Sequence, residues 1–494
     1  MDQFAALDLG SNSFHLLVAR EEGNALTIID REREMVRLSA GLDEAELLTD
    51  EASERALDCL ARFGERLRGL KPDNVRVVGT NALRKAKNSK QFITRAEKAL
   101  GFSIEIISGV EEARLVYLGA AQTLQGDRGR RLVVDIGGGS TEIIVGDKSE
   151  PIFLESVYVG CVSSSERFFP RGEYNHTLMQ LAILRAELQL QPRIATLRSL
   201  DARDVIGTSG TARAIANVLR ENGWSETGIT HEGLGKLVNK IVKAGSLKKL
   251  KISGLSDERR PVFAGGVAVM MAIFNSLEID FMRISDGSLR EGVLHDLIGR
   301  VLYEDRRAVS VLDVMKRHHI DIEQGKRVRR TTLMLFDQVR QQGLLKRERR
   351  LLGWAAQLHE IGLLVAHSQY HKHGGYLLEN MDLPGFSRQE QGAVSIMVRL
   401  HRRKYLAELI EASVYLRSEA LNLMTRLLRL AVLLNRGRSP IDLPALGLEL
   451  NDAQDMALEV PRPWLENHPL TDAYLEQEVE MMAAAGYVLR IIKS

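Results

Sequence analysis

Short apolar runs separated by polar turns open the chain. Phe4–Leu9 and His15–Arg20 predict two strands joined by the turn Gly10-Ser-Asn-Ser13. Glu51–Leu70 has the apolar spacing of an amphipathic helix, and Val75–Gly79 and Ile104–Ile107 predict further short strands. Alternation of this kind predicts an α/β architecture. The polar stretch Thr123–Arg130 predicts a linker. Beyond it the pattern recurs. Shifting Phe4–Ala19 by 127 positions lays it on Arg131–Gly146, with Asp8 on Asp135, Gly10 on Gly137 and Ser13 on Ser140. The repeat predicts a duplicated hairpin and two similar α/β domains facing each other.

The second copy continues with a strand at Asp204–Gly207, a turn at Thr208-Ser-Gly-Thr211 and a helix from Ala212. Met282–Ser285 and Ser288–Arg300 repeat that strand–turn–helix plan. From Val309 to about Gly437 only helical periodicity is visible. Pro440, Pro444 and Gly447 mark a boundary, and the tail alternates as a small α+β appendage. A chain of 494 residues exceeds one core. The expected division is 1–124 and 125–304 for the two α/β domains, 305–440 for an all-helical domain and 441–494 for the tail.

Composition narrows the class. An apolar share of 45% and a net charge of +2 are those of an ordinary soluble protein and single out no nucleic acid as partner. Two cysteines, Cys59 and Cys161, exclude a disulfide framework and suit a reducing cytoplasm. The start has no signal-peptide pattern, and apolar runs such as Val267–Phe274 are too short to suggest a transmembrane segment. The expected location is the cytoplasm, with peripheral attachment to the inner membrane left open.

The two hairpin turns carry the candidate chemistry. Tight Gly/Ser/Asn turns expose backbone N–H groups that cradle phosphate, and Ser11, Asn12, Ser13, Gly137, Gly138, Gly139, Ser140 and Thr141 supply them here. An ordinary pair of hairpins is the plain alternative. Asp8, Asp135 and Glu142 are candidate Mg2+ ligands, Asp135 and Glu142 before Asp8; Mg2+ is held by one or two carboxylates, waters and substrate oxygens. Their structural alternative is turn stabilisation. Ser209, Gly210 and Thr211 open a helix, where N–H groups favour anions. Asn81 and Arg84 are placed to face the same cleft, Arg84 as a phosphate contact. Hydrolysis needs a carboxylate to activate water. Ser108 and Glu111 fit a capping box, which occupies Glu111 and leaves Glu112 as the candidate base. Ser288 and Glu291 fit another such box. Lys326–Arg350 holds nine Lys/Arg against two acids, and Arg399–Lys404 is denser still. Such runs are solvated helix faces or guides for a polyanion. His359-Glu360, His367, His371 and His373 hint weakly at a metal site.

With these residues in view, the chain resembles the exopolyphosphatase/guanosine pentaphosphate phosphatase family. The matching segments are Ala6–His15, Ile106–Leu115, Val133–Glu142, Val205–Thr211, Leu289–Leu294, Leu358–Gly362 and Asp382–Phe386. The resemblance implies duplicated actin-like (RNase H-like) domains and a helical domain like a degenerate His-Asp phosphohydrolase fold. It implies Glu112 as the catalytic glutamate, phosphate and Mg2+ at Asp135 and Gly137–Ser140, K+ as a candidate activator, and a homodimer. Two substrates compete, inorganic polyphosphate and guanosine pentaphosphate. The segments Pro151–Ser156, Tyr158–Val162 and Leu400–Arg403 look closer to the exopolyphosphatase branch, so release of orthophosphate from polyphosphate is the expectation. Guanosine pentaphosphate 5′-phosphohydrolase activity, giving the tetraphosphate alarmone, is the alternative. A nucleotide-binding actin-like module or a sensor without hydrolysis is the reading from another class.

Overall fold

The computed structural model describes residues 2–22, 25–123, 129–148, 150–302, 305–339, 346–413, 416–438 and 443–494. Most of the predicted linker at 123–130 and the boundary at Pro440 lie outside them. The chain separates into two compact units, Met1–Glu304 and Asp305–Ser494.

The first unit holds two sheets. β1 (Gln3–Leu9), β2 (Phe14–Glu22), β3 (Ala25–Glu34), β4 (Val75–Gly79) and β5 (Ile104–Ile106) order as β3-β2-β1-β4-β5. β6 (Arg130–Ile136), β7 (Thr141–Asp147), β8 (Glu150–Val157), β9 (Asp204–Thr208), β10 (Ile229–Thr230) and β11 (Phe281–Ile284) order as β8-β7-β6-β9-β11-β10. In each sheet the first three strands are antiparallel neighbours, and the next two pair parallel. The repeat over sixteen residues thus extends to a whole sheet. The register places Asp8 opposite His15 and Asp135 opposite Glu142, so His15 and Glu142 occupy equivalent positions in the two copies.

The helices Gly109–Thr123 and Leu289–Leu302 each follow the fifth strand of their copy, and each packs on the other copy's sheet. The first lies against β6, β7 and β8, the second against β1, β2 and β4. Phe4, Ala6 and Leu17 from one sheet and Val133, Ile144 and Ile206 from the other close around them in one core. The two helices touch backbone to backbone. A Cβ on Gly119 would stand 2.0 Å from the Ser288 carbonyl oxygen, and one on Gly292 1.8 Å from that of Leu115. Only glycine fits at such a crossing.

Buried charges pin the same helices. Asp296 accepts from Arg76 Nη1 at 2.6 Å, Arg114 Nη2 at 2.5 Å and Arg300 Nε at 2.7 Å. Glu111 takes Arg114 at 2.7 and 2.8 Å. The three guanidiniums hold the Asp296 carboxyl far below the usual carboxylate range against the opposing effect of burial, which is the largest single influence on it.

Arg260–Leu277 is the one helix among the described residues long and apolar enough to cross a membrane by length and composition. Phe263–Phe274 is buried throughout in the core beneath the second sheet.

The second unit packs helices against a three-stranded sheet of β12 (Gly447–Leu450), β13 (Asp455–Val460) and β14 (Val488–Lys493). Leu448, Leu458, Leu475 and Leu489 join Leu335, Phe336, Met397 and Leu428 in a single core. The tail, set apart by composition, therefore shares its interior with the helices.

Candidate active site

The two hairpin turns face each other across a cavity of about 320 Å3. A Cβ on Gly138 would come within 2.9 Å of the Ser11 side chain, so glycine sets how closely the walls approach. Ser11, Asn12, Ser13, Gly137, Gly138 and Ser140 line the cavity, and the helix opening Ser209-Gly-Thr211 lines it beside them. Ser209 holds φ at 69°, a left-handed value that costs a non-glycine residue energy. Its hydroxyl donates to the Ile136 carbonyl at 3.1 Å, as does that of Thr211 at 2.9 Å, tying this opening to the end of β6.

The other predicted residues lie just behind the lining. Gly139 abuts the Asn81 amide. The Thr141 hydroxyl donates to the Val159 carbonyl at 2.6 Å, a structural role. Arg84 does not line the cavity. Its Nη1 donates to Glu112 Oε2 at 2.7 Å and to the Ile107 carbonyl at 3.0 Å. Sequence placed Arg84 as a phosphate contact, whereas the fold gives it to the glutamate. Glu142 is buried behind the wall and accepts from Ser156 Oγ at 2.9 Å.

Glu112, Asp8 and Asp135 do reach the cavity. Glu112 projects from the helix start where Ser108 Oγ accepts the Glu111 amide, while the Glu111 carboxylate is taken by Arg114. Asp135 Oδ2 receives Thr208 Oγ1 at 2.6 Å and Ser288 Oγ at 3.0 Å. The Ser288–Glu291 box is thus only half a cap. The Glu291 carboxylate takes the Ser288 amide at 3.0 Å, but the hydroxyl turns to Asp135. Two buried side-chain atoms beside the cavity, Asp8 Oδ1 and Asn81 Nδ2, have no partner. An orphaned acceptor and an orphaned donor in one cleft are what a cation and a phosphate oxygen would satisfy.

Sequence reasoning missed the basic wall. Arg33, Arg213, Arg259 and Arg290 all line the cavity. They come from four distant segments, and none belongs to a motif that marks it out. Only the strand register offered a signal, since β3 sets Arg33 opposite His15. Burial and neighbouring cations push the Arg213 and Arg259 guanidiniums below their usual range. Burial, then Arg290, lowers the His15 imidazole to about 3, so it is neutral. Arg290 lies 3.1 Å from His15 Nδ1 and can only donate, which puts the ring proton on Nε2, 2.8 Å from Ser13 Oγ. Ser13 accepts that proton's hydrogen bond and keeps its own O–H free for a ligand.

A divalent cation fits this chemistry. Among the described residues no three His, Cys, Asp or Glu side chains form a ready cage. The donors that would hold a cation are the unpartnered Asp8 Oδ1 and the Asp135 carboxylate. Burial, reinforced by Glu112 and Asp135, raises the Asp8 and Glu142 carboxyls well above the usual range. Burial also raises Asp135 against its hydroxyl partners, and Glu112 against Arg84. The folded protein therefore binds more protons than the unfolded chain once pH exceeds ordinary carboxylate values. Its stability falls as pH rises through the raised values. The lowered histidines act with the opposite sign on the bare protein, so the cation effect isolates these carboxyls: Mg2+ should raise the melting temperature more at about pH 8 than at about pH 5. Scanning calorimetry measures this; an equal Mg2+ effect at both ends would contradict it.

The model of the Ppx/GppA phosphatase family matches residues 17–301, and that of Ppx/GppA phosphatase domain III matches 306–479. Among similar proteins, guanosine-5′-triphosphate,3′-diphosphate pyrophosphatase of Aeromonas hydrophila subsp. hydrophila is 37% identical over 99% of both chains. That of Vibrio vulnificus is 38% identical over 99% of this chain and 98% of its own. Among solved structures, an exopolyphosphatase from Cytophaga hutchinsonii superposes with a TM-score of 0.55 at 25% identity, covering 60% of this chain and 98% of its own. The actin-like α/β fold with a helical C-terminal part is thereby shown. The expected exopolyphosphatase assignment is overturned, because the full-length relatives carry the name of the alternative. Of the three segments behind that expectation only Tyr158–Val162 reaches the cavity, through Cys161. Pro151–Ser156 forms the edge strand β8 and is absent from the cavity lining, and Leu400–Arg403 belongs to the other unit. With both family models matched and kinship along its full length, this chain belongs to the Ppx/GppA phosphatase family and is a hydrolase of phosphoanhydride bonds.

Proposed function

We propose that this chain removes the terminal 5′-phosphate of guanosine-5′-triphosphate,3′-diphosphate with Mg2+ as cofactor, giving orthophosphate and the tetraphosphate. The observation that carries the reading is the 37% identity over 99% of the chain to a protein named for that substrate. The cleft supports the chemistry. The backbone amide of Gly138, the Ser13 hydroxyl and the Asn81 amide are donors for the terminal phosphate, while the Gly137 amide closes the hairpin on the Ser140 carbonyl at 2.9 Å. Asp8 and Asp135 would hold Mg2+, which when bound neutralises phosphate charge. Arg84 fixes one Glu112 oxygen and leaves the other to accept a proton from water. That water's oxygen bonds to the terminal phosphorus as the bond to the bridging oxygen breaks, and the proton stays on Glu112. Arg213, Arg259 and Arg290 balance the charge of the remaining phosphates. The homodimer and cytoplasmic location belong to the same proposal, on the strength of the family resemblance.

Phosphate release from guanosine pentaphosphate and from long polyphosphate, measured side by side with Mg2+, tests the substrate. A kcat/KM at least about tenfold higher for the pentaphosphate is expected, a difference of ~1.4 kcal/mol in transition-state binding. The reverse ratio overturns the proposal.

A further inference from the structure

The second unit contains a cavity of about 450 Å3 of a different make, around His359 and His401. Its acidic lining residues are already spent. Glu360 is bound by Arg438, and Glu478 by Arg429 at 2.6 and 2.8 Å. Neither carboxylate is free for a cation, and among the described residues no three His, Cys, Asp or Glu side chains gather there as metal ligands.

Three guanidiniums lining the cavity, those of Arg402, Arg403 and Arg436, have no carboxylate partner among the described residues. Two of them are nonetheless held in place. Arg402 lies over the Tyr370 ring at 4.6 Å and Arg436 over the Tyr474 ring at 4.0 Å. Stacking occupies a guanidinium's face and leaves its N–H edges open to oxygen atoms. Arg403 takes a left-handed backbone conformation, φ 65°, and its carbonyl accepts from Arg429 Nη2 at 2.8 Å.

The floor complements these forks. His359 Nδ1 lies 2.7 Å from the Ala356 carbonyl and His401 Nδ1 2.5 Å from that of Val398. Each ring proton is used there, which leaves both Nε2 atoms as acceptors; that of His401 already faces the Tyr370 hydroxyl at 3.5 Å, so His359 Nε2 is the open one. A fully ionised oxyanion has no reason to approach such lone pairs; a hydroxyl, an amino group or a bound water has. The cavity therefore divides into a cationic rim and an accepting floor.

We propose that this cavity binds a diphosphate group, whose two phosphates engage the forks of Arg402, Arg403 and Arg436. The group comes free, as inorganic pyrophosphate, or carried by a nucleotide whose amino or hydroxyl groups meet the histidine floor. The proposal is independent of the substrate assigned to the first unit.

Calorimetric titration of the full chain with inorganic pyrophosphate, and separately with guanosine 5′-diphosphate, tests it. The Arg402→Ala/Arg436→Ala variant should lose one binding event, or bind there at least about tenfold more weakly, while its circular dichroism and the tryptophan fluorescence of Trp354 and Trp464 stay those of the wild type and certify that the second unit is folded. Arg436→Lys, which keeps the charge and removes the fork, should weaken the same event if the double variant fails to fold. Equal arginine-dependent affinity for the two probes identifies the free diphosphate. Tighter binding of the nucleotide identifies the carried one. Isotherms of wild type and variants that superimpose for both probes overturn the proposal.

Discussion

Replacing Glu112 by Gln should lower kcat for phosphate release by roughly 10²–10⁴-fold, the usual worth of a positioned general base. The amide keeps the size of the side chain and can still accept from Arg84 through its oxygen. It cannot take a proton from water. KM should move little, because phosphate is gripped by the hairpin turns, Asn81 and the arginine wall rather than by Glu112. Equilibrium binding of guanosine pentaphosphate to the variant separates the two effects. A drop in affinity with kcat preserved would remove Glu112 from the role of base. Burial holds its carboxyl above the ordinary glutamate range, so the acidic limb of the wild-type kcat profile should fall at a higher pH than for an exposed glutamate.

The second large effect is on stability. Asp296→Ala should destabilise the first unit by about 3–5 kcal/mol, because it strands buried arginine charge rather than merely deleting a contact. Arg76 and Arg114 would keep only Glu105 and Glu111 between them. Denaturant unfolding followed by tryptophan fluorescence and circular dichroism measures the loss. A change below ~1 kcal/mol would mean that water or other groups repair the network.

Much of the fold was legible because the duplication is written in residue types. Asp, Gly and Ser recur at one spacing between apolar runs, and the structure carries that repeat into two sheets of the same order. β3 and β8 escaped notice. Both are edge strands, and exposed Ile28, Ile29 and Ile152 blur the one-sided pattern that marks a half-buried strand. The exchange of helices between sheets was invisible too, since nothing local distinguishes a helix that packs on its own sheet from one that packs across. In the cleft, residues within contiguous motifs could be named in advance. Arg33, Arg213, Arg259 and Arg290 could not, because they meet only once the sheets have formed. Arg84 and Ser288 were assigned the right neighbourhood, and the fold adds a carboxylate to each, Glu112 for the first and Asp135 for the second.

The helix exchange has a consequence for how such a molecule could have arisen. Glu112 sits on a helix whose bed is the sheet of the opposite copy, and Leu289–Leu302 returns the arrangement. A single ancestral half could have covered one face of its sheet with helices such as Asp50–Leu67 and Ser89–Leu100, but not the face that the other copy's helix now fills. Two such halves could have covered each other by trading helices about a twofold axis, as a swapped pair. Fusion of the two genes would then have made a partnership permanent, and divergence at one matched position, histidine in one copy and glutamate in the other, would have given the symmetric pair a direction.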